Sequence, residues 1–144
     1  MEASIRKGWL LSASLIGALY SLIGVAFSAF ARWDASIATQ ETWNRLAFLL
    51  SGILFLIHLG HEHFRFRHSA RITATHVAIA VAIGAFGLAL MANIHDLSSP
   101  SGYRPRMLVA LPAWPLLTGV PAFIVALIVT AGLTLGRKSP VRNN

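Results

Sequence analysis

Gly8 to Ala31 is a run of 24 residues without a charge. As a helix it would extend roughly 36 Å, at ~1.5 Å per residue. That exceeds the ~30 Å hydrocarbon core of a bilayer and leaves room for tilt. Long apolar stretches recur along the remainder of the 144 residues. Charged residues are 12% of the chain, about half the usual share of a soluble domain. The expected fold class is therefore all-α, an integral membrane four-helix transmembrane bundle with short loops. It forms a single domain over 1–144, with helices at about 8–31, 44–63, 72–94 and 116–135.

Each span has its own signature. In the first, Ser14, Gly17, Ser21, Gly24 and Ser28 fall at spacings of three and four. They form a narrow face of small residues, which permits close helix approach in lipid. Ala29-Phe30-Ala31 imitates a signal-peptide cleavage site, but the apolar part is longer than the usual ~7–15 residues. An ordinary first helix is the expectation. The first loop is bracketed by Trp33 and Trp43, which suit the membrane–water interface. The second span has an uninterrupted apolar core only from Leu46 to Ile57. To cross ~30 Å it must also take in His58, Leu59 and Gly60.

In the third span Ala80, Gly84 and Gly87 share a side with His76, within a sector of roughly 80°. In the last stretch Pro112, Pro115 and Pro121 interrupt a long apolar run. Proline removes a helix hydrogen bond. Leu108 to Pro115 is thus expected as an interfacial lead-in anchored by Trp114, ahead of a span carrying Ala122, Ala126, Thr130 and Thr134 on a small face.

Topology follows from the basic residues. The head, the second loop and the tail together hold eight Lys and Arg, and the first and third loops hold four. The chain is expected in the cell membrane as a multi-pass protein, with both termini and the 64–71 loop cytoplasmic. The formal net charge of +7 speaks here for topology and anionic lipid. No basic patch is interleaved with aromatics in the manner of a single-strand binder, so nucleic acid is not an expected partner. Cys is absent, which removes disulfides, thiolate metal sites and thiol catalysis.

The densest polar stretch joins the second and third spans. Leu56 to Ala78 carries five of the six histidines. His58 lies nine residues before Arg67 and His76 nine after, so two antiparallel helices would bring them to similar depth. One reading is bis-histidine ligation of a b-type haem by His58 and His76, with Ala80, Gly84 and Gly87 leaving room for the porphyrin. A second is a metal site, for binding or transport at the cytoplasmic face. It would use His58, His61 and Glu62, at i, i+3 and i+4, joined by His76. The spacing is not that of H-E-x-x-H hydrolases, nor of di-iron bundles, which need carboxylates from several helices.

The plainest reading makes the stretch a headgroup-level rim. Arg65, Arg67 and Arg71 would bind anionic lipid, at about 1 kcal/mol each. His61, His63 and His68 would lie at the interface, and protonation near pH ~6 would make the loop respond to acid. Serines are plentiful, but none sits in a G-x-S-x-G turn, and Asp96 follows His95 without an identifiable nucleophile. The leading functional expectation is a non-catalytic subunit or accessory factor of a larger membrane assembly, with other membrane subunits or self-association as its partners. The haem and metal readings stand as alternatives.

Overall fold

A computed structural model gives the arrangement of the chain and describes residues 2–33, 36–66, 69–98 and 105–136. Four helices follow one another: α1 (Glu2–Trp33), α2 (Ile37–Phe66), α3 (Ala70–Leu97) and α4 (Ala110–Gly136). A short 3₁₀ turn, Pro105–Val109, leads into α4. Each of the four holds a stretch long and apolar enough to cross a membrane: Gly8–Trp33, Ile37–Arg65, Ala70–Leu97 and Met107–Leu135.

Local chemistry sets the helix ends. Ser36 caps α2, its Oγ accepting from the Thr39 N–H at 3.2 Å. Such a cap satisfies one of the orphan donors of a first turn. The helix therefore starts at Ile37 rather than near Asn44, and the segment expected as a loop becomes its first two turns. Ser69 plays the same part for α3, accepting from the Ile72 N–H at 3.5 Å. At the other end of α3 the Ser98 N–H donates to Ile94 O at 3.3 Å and His95 O at 3.1 Å. α4 begins at Ala110, ahead of the expected 116, and runs through Pro115 and Pro121. Pro112 lies in its first turn, where an N–H has no helical partner to lose.

α3 is the hub. It packs most extensively on α4 and then on α1, while α2 leans on α1 and touches α3 more thinly. The consequence appears in burial: 33% of the apolar window of α3 is buried, against 11% for α2. α1 and α3 run parallel and lock through small residues. A Cβ on Gly84 would lie 2.5 Å from Tyr20 Cβ and 3.1 Å from the Gly17 carbonyl. Only a residue without a side chain lets the two backbones come this close. Ser21 seals the contact by donating to Gly84 O at 3.0 Å. α4 meets α3 antiparallel, with Gly119 opposite Ala82 and Ala126 and Thr130 fully buried.

Two features close the ends of the assembly. At one end, Asn93 is buried. Its Nδ2 donates to Ala89 O at 2.8 Å and to Met107 O at 3.0 Å, so it ties the entry of α4 to α3. Near that end Trp43 of α2 packs on Phe27 and Phe30 of α1, with ring centroids 5.8 Å and 5.2 Å away. At the other end a small core of Leu59, Ala74, Val77 and Ala126 joins α2, α3 and α4. The candidate site lies beside this core.

Candidate functional site

The last turns of α2 turn a polar face inward. His58, Leu59, Glu62 and His63 are all buried. With about 100° between successive residues, these four share one sector, and His61 falls outside it. His61 is accordingly exposed. α3 contributes His76 and Thr73 from its first two turns, and α1 contributes Trp9.

Glu62 is the centre. It is only 2% exposed, and its two carboxylate oxygens face different imidazoles. Oε2 lies 3.1 Å from His76 Nδ1, within hydrogen-bond distance. Oε1 lies 3.9 Å from His58 Nε2, too far for a hydrogen bond but close enough for charge to be felt. The other face of the site is aromatic. The Trp9 indole stacks on the His76 ring at 4.4 Å between centroids and 6° between planes.

Around this pair lie buried polar atoms whose hydrogen-bonding capacity is unused. Both ring nitrogens of His58, both of His63, and Thr73 Oγ1 have no hydrogen-bond partner. Buried polar groups are ordinarily paired, and an unpaired one costs about 1–3 kcal/mol. Gathering five such atoms beside a buried carboxylate is unfavourable for packing alone.

No family model, curated protein or solved structure matches the chain. The site must be read from its own geometry.

That geometry corrects two expectations. The haem reading does bring His58 and His76 to one carboxylate, but Glu62 stands between the rings, where iron would have to lie. Trp9 covers one face of His76. The small residues meant to admit a porphyrin are filled by α1, since Gly84 meets Tyr20 and Gly87 meets Ser21. A haem between His58 and His76 is thus not supported. Nor is the metal set of His58, His61, Glu62 and His76. Among the described residues no three His, Asp or Glu side chains are disposed to hold a metal ion. The reason is rotational, because His61 leaves the inward sector that His63 enters.

The remaining sites divide plainly. His63, expected at the headgroup rim, is 4% exposed and packs edge-on against Phe64. Arg65 and Arg71 are exposed at the facing ends of α2 and α3, while Arg67 and His68 lie outside the described residues. His76 meets Glu62 directly, while His58 lies one turn earlier along α2 and approaches the other oxygen of the same carboxylate. Trp9, Thr73 and the burial of His63 were missed in the sequence. Trp9 carried one usable signal: it is an aromatic at the end of the first span, where a parallel α3 presents its first turns.

Proposed function

We propose that the protein is a multi-pass cell-membrane protein that binds and exchanges protons at Glu62, with His76 as its direct partner and His58 as the next acceptor. The observation that carries this reading is the 3.1 Å contact between Glu62 Oε2 and His76 Nδ1 at a carboxylate only 2% exposed. Ionisable groups within a membrane span are costly and mark functional pathways. An ionised carboxylate at such depth needs positive charge or a proton, and this imidazole can supply either.

The exchange balances simply. In one state the carboxylate accepts from the Nδ1–H of an imidazolium. In the other the carboxyl O–H donates to the bare Nδ1 of a neutral ring. The proton crosses one hydrogen bond and total charge is conserved. His58 Nε2, at 3.9 Å from Oε1, needs a small ring movement to become the second relay partner. Trp9, stacked on the ring, holds the His76 imidazole in plane. In this reading the site lies toward the cytoplasmic face, on the side of the 64–71 loop and both termini, in keeping with the charge bias. Arg65 and Arg71 hold anionic headgroups beside it.

Infrared difference spectroscopy of the reconstituted protein across a pH step tests this. A carboxyl C=O band that appears on acidification, shifts in deuterium oxide and is missing in Glu62→Gln is the expected result. A difference spectrum unchanged by Glu62→Gln would overturn it.

A second reading, a non-catalytic subunit of a larger assembly, draws on α2. This helix carries the buried site yet is the least covered, with Phe48, Leu49, Ile53, Leu56 and Ile57 all exposed. A partner helix on that face would steady it. Mass measurement of the complex extracted from native membranes should then exceed the 15.6 kDa of one chain. A single chain under gentle extraction would sink this reading and leave the proton site untouched.

A further inference from the structure

At the end of the bundle remote from Glu62, α1, α2, α3 and α4 stand apart around a cleft of about 970 Å³. This is the upper end of the range of small-molecule sites, ~300–1,000 Å³. Its walls are largely apolar and include Ala47 of α2 and Leu88, Met91 and Ala92 of α3. Trp114 and Thr118 bound it on the α4 side. Its mouth is polar: Arg32 at the end of α1, Asn44 in α2, and Asp96 and Ser98 at the end of α3 all line it.

Depth gives the shape of the occupant. The α3 wall runs from Ala85 to Ser98, roughly 20 Å at ~1.5 Å per residue. Half of a ~30 Å hydrocarbon core plus the headgroup layer is about the same length. The cleft therefore spans one leaflet from midplane to headgroups, apolar where acyl chains lie and polar where headgroups lie. Charge gives the headgroup. An exposed guanidinium is the side chain best suited to a phosphate. A carboxylate, Asp96, lines the same mouth and suits an ammonium group.

We infer that this cleft is a binding site for one aminophospholipid of that leaflet, with an acyl chain along Leu88 and Ala92, its phosphate on Arg32 and its amine toward Asp96. The site is independent of the proton chemistry at Glu62, and either can fail without the other.

Native mass spectrometry of the full chain in mild detergent tests it with three probes: phosphatidylethanolamine, phosphatidylglycerol and diacylglycerol. The ethanolamine lipid should be retained at one per chain, the glycerol lipid less and the diacylglycerol least. Arg32→Gln should weaken retention of the ethanolamine lipid about tenfold. Asp96→Asn should remove its advantage over the glycerol lipid. Ala47→Trp, which fills the cleft, should release all three. Equal retention of the three probes by the native chain and by Arg32→Gln would overturn the site. A preference for the glycerol lipid would overturn its assignment to an aminophospholipid.

Discussion

At the scale of single residues, the energetics turn on Glu62. Two charged or chargeable groups have been taken out of water together, and each makes the other tolerable. Removing one partner of a buried pair costs about 3–5 kcal/mol, while replacing both by apolar groups of like volume is often neutral. Glu62→Leu and His76→Leu should therefore each destabilise the protein strongly, and the double substitution should cost much less than their sum. Unfolding in mixed micelles measures the cycle. Strict additivity would mean that the two side chains are not coupled. Trp9 offers an optical handle on the same pair. With Trp33, Trp43 and Trp114 replaced by Phe, emission from Trp9 should change in His76→Leu, which removes the stacked imidazole. Emission unchanged by that substitution would mean that the two rings do not stack.

At the scale of helices, packing depends on where side chains are absent. Gly84 and Gly132 make a controlled pair. An added methyl at Gly84 meets Tyr20 Cβ and the Gly17 backbone, whereas at Gly132 it meets nothing within 4 Å. Gly84→Ala should therefore cost about 1–3 kcal/mol by forcing α1 from α3. Gly132→Ala should be neutral or gain up to ~1 kcal/mol from helix propensity. Equal effects in a thermal melt would mean that α1 does not ride on α3 at this point. Asn93 works at the same scale. Asn93→Leu removes both of its bonds and leaves Met107 O without that donor. It should loosen the entry to α4, seen as faster proteolysis between α3 and α4. α2 is also the least apolar of the four spans, with the lowest mean hydropathy. Its low burial goes with the small faces lying on α1, α3 and α4, where α3 packs closely on both α1 and α4.

At the scale of the whole molecule, orientation is the testable quantity. An even number of spans keeps the termini together, and the basic residues favour their side as cytoplasmic. A reporter in the Ser99–Gly102 loop should read out as non-cytoplasmic and one at either terminus as cytoplasmic. The reverse pattern would invert the bundle and move the proton site to the opposite face. In the expected orientation the two sites are separated by the length of α3. The proposed proton site lies at its first turns and the proposed lipid site at its last.

The sequence alone determined how many long helices there are and which faces are small, while the helices run further than expected, most of all α2 from Ile37 and α4 from Ala110. Those properties are one-dimensional: unbroken apolar length sets a span, and spacings of three and four set a face. It also singled out His58, His61, Glu62 and His76, with His58 drawn inward because the apolar core of α2 is short. The rotation of α2 about its own axis was decided only by tertiary packing. One residue is about 100° of turn, so the faces 58-61-62 and 58-62-63 were nearly equivalent until Leu59 found Ala74, Val77 and Ala126. That contact buried His63 and left His61 outside. Parallel packing of α1 on α3 likewise brought Trp9 onto His76 across 67 positions of chain. No local pattern records such a contact, because it exists only once helices distant in sequence share a depth.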